Sequence, residues 1–245
     1  MTSKLQPVRI GTAGWSVPRP LADDFPGPGT HLERYARTLP CAEINTTFYR
    51  PPMESTWLRW AASVPTNFRF SVKAPKTITH TGLKPTPQEL QTFLTAASLL
   101  GKKLGPLLFQ LPPKRAFEPS TAEAFLTNLR TLYPGPVALE PRHPSWFSDT
   151  VTKLLQSLQI ARVAADPPRV PEASSPLPSN ALTYFRLHGS PRIYYSSYTL
   201  EYLNHLRQQI QACATQSAEV WVIFDNTASG AAAANALDLA RSPLL

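Results

Sequence analysis

The chain contains little cysteine, glycine or charge. Its 245 residues include two cysteines and ten glycines, and only 16% of them are charged. Cys41 and Cys213 stand far apart and outside any CxxC motif, which excludes a disulfide framework and a cysteine-based zinc site. This use of cysteine predicts a reducing, cytoplasmic setting.

Long apolar segments are missing as well. Lys102 and Lys103 interrupt the leucine-rich stretch around them, and no run approaches the ~20 residues that a membrane span needs. The first residues lack the apolar region and the cleavage site of a secretory signal. We therefore expect no membrane partner. The 42% content of hydrophobic residues is enough for a large core and excludes disorder.

Proline and positive charge are abundant and unevenly placed. The 27 prolines fall mostly between apolar runs, where they shape loops. The net charge is +8, and residues 1–115 carry 15 basic and six acidic side chains, whereas residues 116–245 carry nine and ten. The excess of positive charge in the first half favours an anionic small molecule or a nucleic acid as the ligand.

Short β-rich runs alternate with segments of helical periodicity along the chain. The predicted strands are residues 8–11, 42–45, 68–72, 107–111, 137–140, 162–165, 183–188 and 220–225. The predicted helices are residues 32–38, 56–63, 87–100, 120–132, 149–158, 200–215 and 230–240. Eight strands in about 250 residues indicate an α/β fold, a (β/α)8 TIM barrel forming a single domain over residues 1–245.

One competing fold and one irregular segment bear on this prediction. A doubly wound sheet is less favoured, because Gly11 and Gly14 lack the rest of the GxGxxG nucleotide turn. The proline-rich segment 166–180 stands where the sixth helix belongs, which predicts an irregular sixth βα unit. This loop is interpreted either as a stiff connector or as a lid over a site.

Polar residues recur at the C-terminal ends of the predicted strands. Alternate residues of a strand share a face, and barrel enzymes place their working groups at this end. We therefore expect one set of side chains to meet at the mouth of the barrel: Glu43, Lys73, Gln110, Glu140, Arg186, His188 and Asp225. The alternative is a structural ion-pair network that plugs the barrel.

The candidate residues divide into two groups. Carboxylates in unlike surroundings and a histidine suit proton transfer, so the catalytic candidates are Glu43, Glu140, His188 and Asp225. Cations, amides and aromatics suit ligand binding, and these candidates are Asn45, Tyr49, Lys73, Gln110, Arg142, His143, Trp146, Arg186, Tyr194, Tyr198 and Asn226. Whether the site is catalytic stays open, because no triad or P-loop signature is present.

Some of these candidates have a simpler explanation in local structure. Pro141 and Pro144 bracket Arg142 and His143, which either presents Arg142 to a ligand or builds a rigid corner over Trp146. The loops at 188–191 and 225–230 follow the seventh and eighth strands, where barrels bind phosphate. The second loop contains Thr227 and Ser229, and capping of the following helix explains these two hydroxyl residues equally well.

Two alternative functions also remain. A metal-dependent phosphoesterase would use an oxygen-rich ligand set of Glu43, Glu140, Asp166, Asp225 and His188. We assign no metal ligand, because Lys73 and Arg186 in the same mouth would repel a cation; the cofactor is unknown. A single-stranded nucleic-acid-binding module would use the aromatics among the basic residues of the first half, although core packing explains most of them.

Seven ordered motifs resemble the DUF72 family, also called YecE-like proteins. They are GTAGW at 11–15, EINTTFYRPP at 43–52, RFSVKAPKTITH at 69–80, KLGPLLFQLPP at 103–113, ALEPRHPSWF at 138–147, YFRLHG at 184–189 and FDNTASGAAAANAL at 224–237. The resemblance implies a TIM barrel, with a looser similarity to endonuclease-IV-like and xylose-isomerase-like barrels. It implies no activity. The chain departs from the family pattern at Pro141, Ser196 and Ser229.

Overall fold

Nine parallel strands form one continuous sheet in the computed structural model, which describes residues 7–215 and 217–241. In chain order the strands are β1 (Val8–Ala13), β2 (Cys41–Ile44), β3 (Arg69–Lys73), β4 (Leu104–Gln110), β5 (Val137–Glu140), β6 (Ala161–Arg162), β7 (Ala164–Asp166), β8 (Leu182–Leu187) and β9 (Glu219–Phe224). Every predicted strand is confirmed within a few residues, but the predicted strand 162–165 is divided into β6 and β7.

Helices connect most of these strands and cover the outside of the sheet. In the described residues they are α1 (His31–Thr38), α2 (Glu54–Ala62), α3 (Lys76–Thr79), α4 (Pro87–Ser98), α5 (Pro119–Leu132), α6 (Asp149–Ser157), α7 (Leu200–Cys213) and α8 (Ala231–Arg241). Thr30 and Thr86 begin α1 and α4 with capping boxes, which satisfy backbone amides that the first turn leaves free. No described helix combines the length and apolar character needed to cross a membrane.

The sheet curves into a nearly closed barrel. The strand order is β6-β5-β4-β3-β2-β1-β9-β8-β7, so the two edge strands are neighbours in the chain and only Val163 separates them. The Val163 N–H donates to the Leu139 C=O at 2.9 Å, and Arg162 pairs with Leu177 of the following loop. The sixth unit is irregular, as predicted, and a short 3-10 turn at Pro171–Ser174 occurs in its loop.

The interior of the barrel changes from apolar to polar along the strands. At the N-terminal end the rings of Tyr184 and Trp221 stack with their centroids 6.3 Å apart. Gly105 leaves room for this packing, because a Cβ there would lie 2.6 Å from the Trp221 ring. Strand alternation then places Arg186 and His188 on the same face as Tyr184, towards the C-terminal end. The apolar layer therefore supports a polar layer above it.

Candidate functional site

Arg186 of β8 lies at the centre of the polar layer. It is 0% exposed, and its guanidinium contacts three carboxylates. Nη2 donates to Glu43 Oε1 at 2.8 Å and lies 3.0 Å from Asp225 Oδ2, while Nη1 donates to Glu140 Oε2 at 3.2 Å. Burial opposes the charge of Arg186, but Asp225, Glu43 and Glu140 together raise its pKa well above the usual value.

Glu43 of β2 lies beneath Arg186 and has no exposed surface. The Tyr184 hydroxyl donates to Glu43 Oε2 at 2.9 Å, and its oxygen also lies 2.9 Å from Ser71 Oγ. Burial and the neighbouring Glu43 raise the pKa of Tyr184, so the hydroxyl keeps its proton and remains a donor. The structure thus places Glu43 as a buried counter-ion and not at an accessible catalytic position.

His188 follows β8 and lies between two carboxylates. Its Nδ1 is 3.0 Å from Asp225 Oδ2, and its Nε2 is 3.1 Å from Glu140 Oε1. Both contacts are hydrogen bonds only when both ring nitrogens carry a proton. Arg142 also binds Glu140, with Nε 2.9 Å from Oε1. The predicted group of Glu140, Arg142, His188 and Asp225 is therefore brought together.

The two carboxylates beside His188 remain ionised. Burial alone would raise the pKa of Glu140, but Arg142, His188 and Arg186 hold it well below the usual value. Burial likewise opposes ionisation of Asp225, yet Arg186 and His188 lower its pKa. Carboxylates on both sides of the imidazole orient the ring.

The loop after β8 covers His188. Gly189 has φ +94°, and a Cβ there would lie 2.9 Å from the Ser196 carbonyl oxygen, so only glycine fits. Tyr194 has φ +71°, a left-handed conformation that is uncommon for a residue with a side chain. Its N–H donates to the His188 C=O at 2.6 Å, and its ring lies edge-on to the imidazole at 6.0 Å. Such backbone strain is typical of functional sites.

Lys73 of β3 differs from the other charged residues of the mouth. It is 8% exposed, and within residues 7–215 and 217–241 its Nζ has neither an ion pair nor a hydrogen bond. Nζ lies 4.4 Å from the centre of the Phe48 ring. Burial and the charge of Arg186 lower the pKa of Lys73 to about 8, and the three carboxylates offset this only in part.

His80 lies beside Lys73 at the mouth. Its ring contacts Phe48 with the centroids 5.0 Å apart. Burial, Lys73 and Arg142 lower the pKa of His80, which favours the neutral imidazole. Lys73 and Arg142 therefore create a positive potential around His80.

A small cleft opens beside His188. Its volume is about 70 Å³, and Glu140, Arg142, Arg169, His188 and Tyr194 are among its lining residues. The proline-rich loop contributes one wall with Pro167, Arg169 and Ala173. The loop thus borders the cleft, which is compatible with either predicted role, the connector or the lid.

Two further candidates face the polar layer. Gln110 Oε1 lies 3.4 Å from Arg186 Nη1, and Asn45 Nδ2 lies 3.4 Å from Asp225 Oδ1. The Asn45 Oδ1 atom is buried and has no partner among the described residues. Both amides support the ion network from its edge.

The structure turns three predicted ligand-binding residues away from the mouth. Trp146 is 0% exposed and its Nε1–H donates to the Arg115 C=O at 2.9 Å, so it packs beneath the corner instead of reaching a ligand. The buried Tyr198 hydroxyl donates to Asp166 Oδ1 at 2.8 Å. Asn226 is also buried, and its Nδ2 donates to Asn235 Oδ1. Each side chain thus donates a hydrogen bond to another part of the protein, although Asn226 Oδ1 has no partner among the described residues.

Two other candidates lie outside the polar layer. His143 Nδ1 accepts from the Ser145 N–H at 3.3 Å and caps the turn Pro144–Phe147. Tyr49 is 77% exposed and lines a separate apolar groove of about 330 Å³ with Phe48 and Trp57. The corner interpretation of the PRHPSWF motif is therefore favoured, although Pro141 and Arg142 also line the cleft.

The described residues offer no ligand set for the metal alternative, and three of the aromatics considered for the nucleic-acid alternative are buried. No group of three or more His, Cys, Asp or Glu in residues 7–215 and 217–241 is arranged to hold a metal ion. The Arg186 guanidinium occupies the space between the carboxylates proposed as ligands. Trp57, Phe68 and Phe70, which alternate with basic residues in the sequence, are buried in the core.

The predicted site residues omitted Arg169, and Phe48 was considered only among the aromatics of the nucleic-acid alternative. Phe48 lies in a 3-10 turn at Thr46–Phe48, where strand alternation gives no information about direction. Arg169 belongs to the proline-rich loop, for which no periodicity exists. The only available signal was position, because both residues closely follow the C-terminal end of a strand.

The fold and the polar layer together define an α/β-barrel protein with a concentrated ion network at the C-terminal ends of its strands. The chain belongs to the family described as "Protein of unknown function DUF72", whose profile matches residues 9–243. The recognition made from the seven motifs is therefore confirmed. The description of this family assigns no activity to its members.

Curated relatives and solved structures agree with this assignment. UPF0759 protein YecE of Escherichia coli K12 is 34% identical over 167 residues, which cover 65% of this chain and 59% of YecE. The chain thus spans less than two thirds of that relative. UPF0759 protein YunF of Bacillus subtilis 168 is 24% identical, with 93% of this chain and 92% of YunF covered.

Two crystal structures of DUF72 family proteins share the architecture. The protein from Enterococcus faecalis V583 gives a TM-score of 0.79 at 25% identity, covering 96% of both chains. The protein from Thermotoga maritima MSB8 gives a TM-score of 0.77 at 25% identity, covering 96% of this chain and 98% of the other. The similarity extends over nearly the whole chain.

Proposed function

We propose that the mouth of the barrel binds a small anionic ligand and transfers a proton to or from it through His188. The observation that carries this proposal is the buried Lys73 ammonium without a counter-ion among the described residues. A buried charge is costly unless it is paired, and a group of this kind at the mouth of a barrel is a candidate functional residue. An anion beside Lys73 would complete the charge balance.

The charges of the mouth support this position for the anion. Arg186 and Arg142 are already paired with carboxylates, whereas Lys73 and the exposed Arg169 have no such partner in the described part of the chain. Lys73 and His80 lie on one side of the mouth and Arg169 on the cleft wall. We place the negative group of the ligand between them, where Arg142 adds a further cation.

His188 is the proton-transfer group in this proposal. Glu140 and Asp225 hold its two ring nitrogens, and Tyr194 lies edge-on above the ring. Carboxylates that contact an imidazole fix its orientation and stabilise the imidazolium that forms when it accepts a proton. Glu140 and Asp225 therefore act as positioning residues for His188.

The loops after β8 and β9 are a weaker position for a phosphate group. The Ala228 N–H donates to the Tyr194 C=O at 3.0 Å, and the Gly230 N–H donates to the Thr227 C=O at 3.1 Å. The Ser229 hydroxyl donates to the Tyr195 C=O at 2.8 Å. These hydrogen bonds occupy donors that a phosphate group would need. We therefore favour Lys73 as the position that binds a phosphate or carboxylate group.

The eight-unit interpretation of the fold belongs to the same proposal. We interpret β6 and β7 as the halves of one sixth strand interrupted at Val163, which gives a (β/α)8 TIM barrel. In such barrels the loops at the C-terminal ends of the strands carry the working residues. Lys73, Arg142 and His188 all lie at that end.

The test is a calorimetric titration of the protein with inorganic phosphate and, separately, with pyruvate. Lys73→Met should weaken binding of the preferred anion by about 30-fold or more, because losing one partner of a buried charge pair costs about 2 kcal/mol or more. Lys114→Met, which removes an exposed lysine, is the matched control and should bind as the parent does.

Equal affinity of Lys73→Met and the parent would overturn the proposal. A titration with a short single-stranded oligonucleotide addresses the nucleic-acid alternative. Tight binding that is independent of Lys73 and falls steeply with salt would favour a nucleic-acid-binding module. Binding of a small anion that depends on Lys73 would favour the site proposed here.

A further inference from the structure

The amine of Lys73 has surroundings that suit a nucleophile as well as an anion-binding cation. Its Nζ lies on the Phe48 ring at 4.4 Å, and within the described residues no carboxylate pairs with it. Arg186 places a second positive charge nearby, and burial and this charge lower the pKa of Lys73 to about 8. Desolvation and a neighbouring cation are the conditions that activate a lysine amine.

Arginine side chains at the mouth already supply permanent positive charge. Arg142 and Arg169 line the cleft beside His188, and a guanidinium stays protonated at any physiological pH. Lys73 can add to anion binding what a guanidinium cannot, because part of its amine is neutral near pH 8. Its distinct contribution is an accessible neutral amine.

The other described lysines lack this combination. Lys103 Nζ donates to the carbonyl oxygens of Val64 and Pro65, which occupies the amine. The remaining described lysines are exposed to solvent: Lys76, Lys84, Lys102, Lys114 and Lys153. Lys73 is therefore the one lysine of the described chain that is buried, without a polar partner and located at the mouth.

We propose that Lys73 forms an imine with an aldehyde or ketone group of the anionic ligand, so that the substrate class is a carbonyl-bearing anion such as a 2-oxo acid. This inference rests on the proposed function, since it concerns the same ligand. The ligand's negative group lies near Arg142, which together with Lys73 acts on His80, and the ligand's carbonyl carbon faces Nζ of Lys73.

The chemistry balances without an oxidant or a reductant. The lone pair of neutral Nζ attacks the carbonyl carbon, a C–N bond forms, and the carbonyl oxygen takes a proton to give a carbinolamine. Nitrogen loses a proton, the hydroxyl group is protonated, and the C–O bond breaks to release water and leave the protonated imine. His188, held by Glu140 and Asp225, supplies and accepts these protons. Hydrolysis reverses the sequence.

The experiment is reductive trapping of the full chain with borohydride in the presence of pyruvate or glyoxylate, followed by peptide mass mapping. We expect a reduced adduct on Lys73 at a level at least about tenfold above that on Lys114, because far more of the Lys73 amine is neutral at pH 7. Trapping should rise with pH around 8. Lys73→Arg should abolish the adduct at this position, and Lys114→Arg should leave it unchanged.

The outcomes separate this inference from the proposed function. If calorimetry shows Lys73-dependent binding of phosphate or pyruvate, but both carbonyl probes label Lys73 no more than Lys114, the imine is overturned and the anion site stands. If neither binding nor trapping depends on Lys73, both proposals fail. Selective trapping at Lys73 supports both.

Discussion

Arg186 and Lys73 are buried cations at the same end of one barrel, yet their environments are opposite. Arg186 contacts three carboxylates and has a raised pKa, whereas Lys73 has only an aromatic ring beside its amine and a lowered pKa. The comparison distinguishes Arg186, a cation paired within the ion network, from Lys73, a cation without an ion pair among the described residues. Substitutions at the two positions should consequently have different effects on the free energy of unfolding and on ligand binding.

The largest effect is expected for Arg186→Met. This change leaves Glu43, Glu140 and Asp225 buried without their shared partner, and breaking a buried ion pair costs about 3–5 kcal/mol. Urea-induced unfolding measures the loss, and Arg169→Met, at an exposed arginine, is the control with little expected change. A loss below about 1 kcal/mol would mean that the network contributes no more than a surface pair.

The next effect is a pH dependence that originates from Lys73. Below pH 8 the Lys73 amine is protonated in both the folded and the unfolded protein, and burial of its charge destabilises the folded state. Between pH 8 and its ordinary value of 10.5 the folded protein releases the proton while the unfolded chain retains it. The free energy of unfolding of the parent should therefore rise with pH relative to Lys73→Met, by on the order of 3 kcal/mol across this interval.

Unfolding in urea at several pH values from 7 to 10 checks this prediction. Taking the difference between the parent and Lys73→Met removes the contribution of the tyrosines, which titrate in both proteins. At pH 7 the variant should be at least as stable as the parent, because it removes a buried charge without a partner. A difference that stays constant with pH would show that the Lys73 amine titrates in its ordinary range.

The smallest effect is expected for Tyr184→Phe, which tests the support beneath the ion network. The substitution removes the donor to Glu43 at 2.9 Å, and leaving a buried acceptor with one fewer partner costs about 1–3 kcal/mol. Tyr195→Phe, which removes an exposed hydroxyl, should change the stability little. If the two variants unfold at the same urea concentration, Arg186 alone neutralises Glu43.

The strands and their polar ends were predictable from the sequence because both depend on local patterns. Apolar runs separated by prolines located the strands, and the two-residue periodicity placed Glu43, Arg186 and His188 inside the barrel. Parallel strands bring their C-terminal ends to one rim, so convergence of these residues followed. The division of the sixth strand into β6 and β7 was not predictable, because it depends on pairing with Leu139 and Leu177.

The distribution of partners within the polar layer was beyond sequence reasoning. Position along a strand does not reveal that one guanidinium contacts three carboxylates across the barrel while Lys73 contacts none. The burial of Trp146, Tyr198 and Asn226 was not predictable for a related reason. Their loops turn them towards hydrogen-bond partners that are distant in the sequence or face inward, and no periodicity reports the direction of a loop side chain.

The stacked rings of Tyr184 and Trp221 bear on the route by which a ligand reaches the mouth of the barrel. They pack across the N-terminal end of the barrel interior, where Gly105 allows the close fit. We therefore expect a ligand of the mouth to enter and leave at the C-terminal end, beside Tyr194 and the proline-rich loop. Release of one molecule would then precede entry of the next, so that exchange at the mouth would be limited by release.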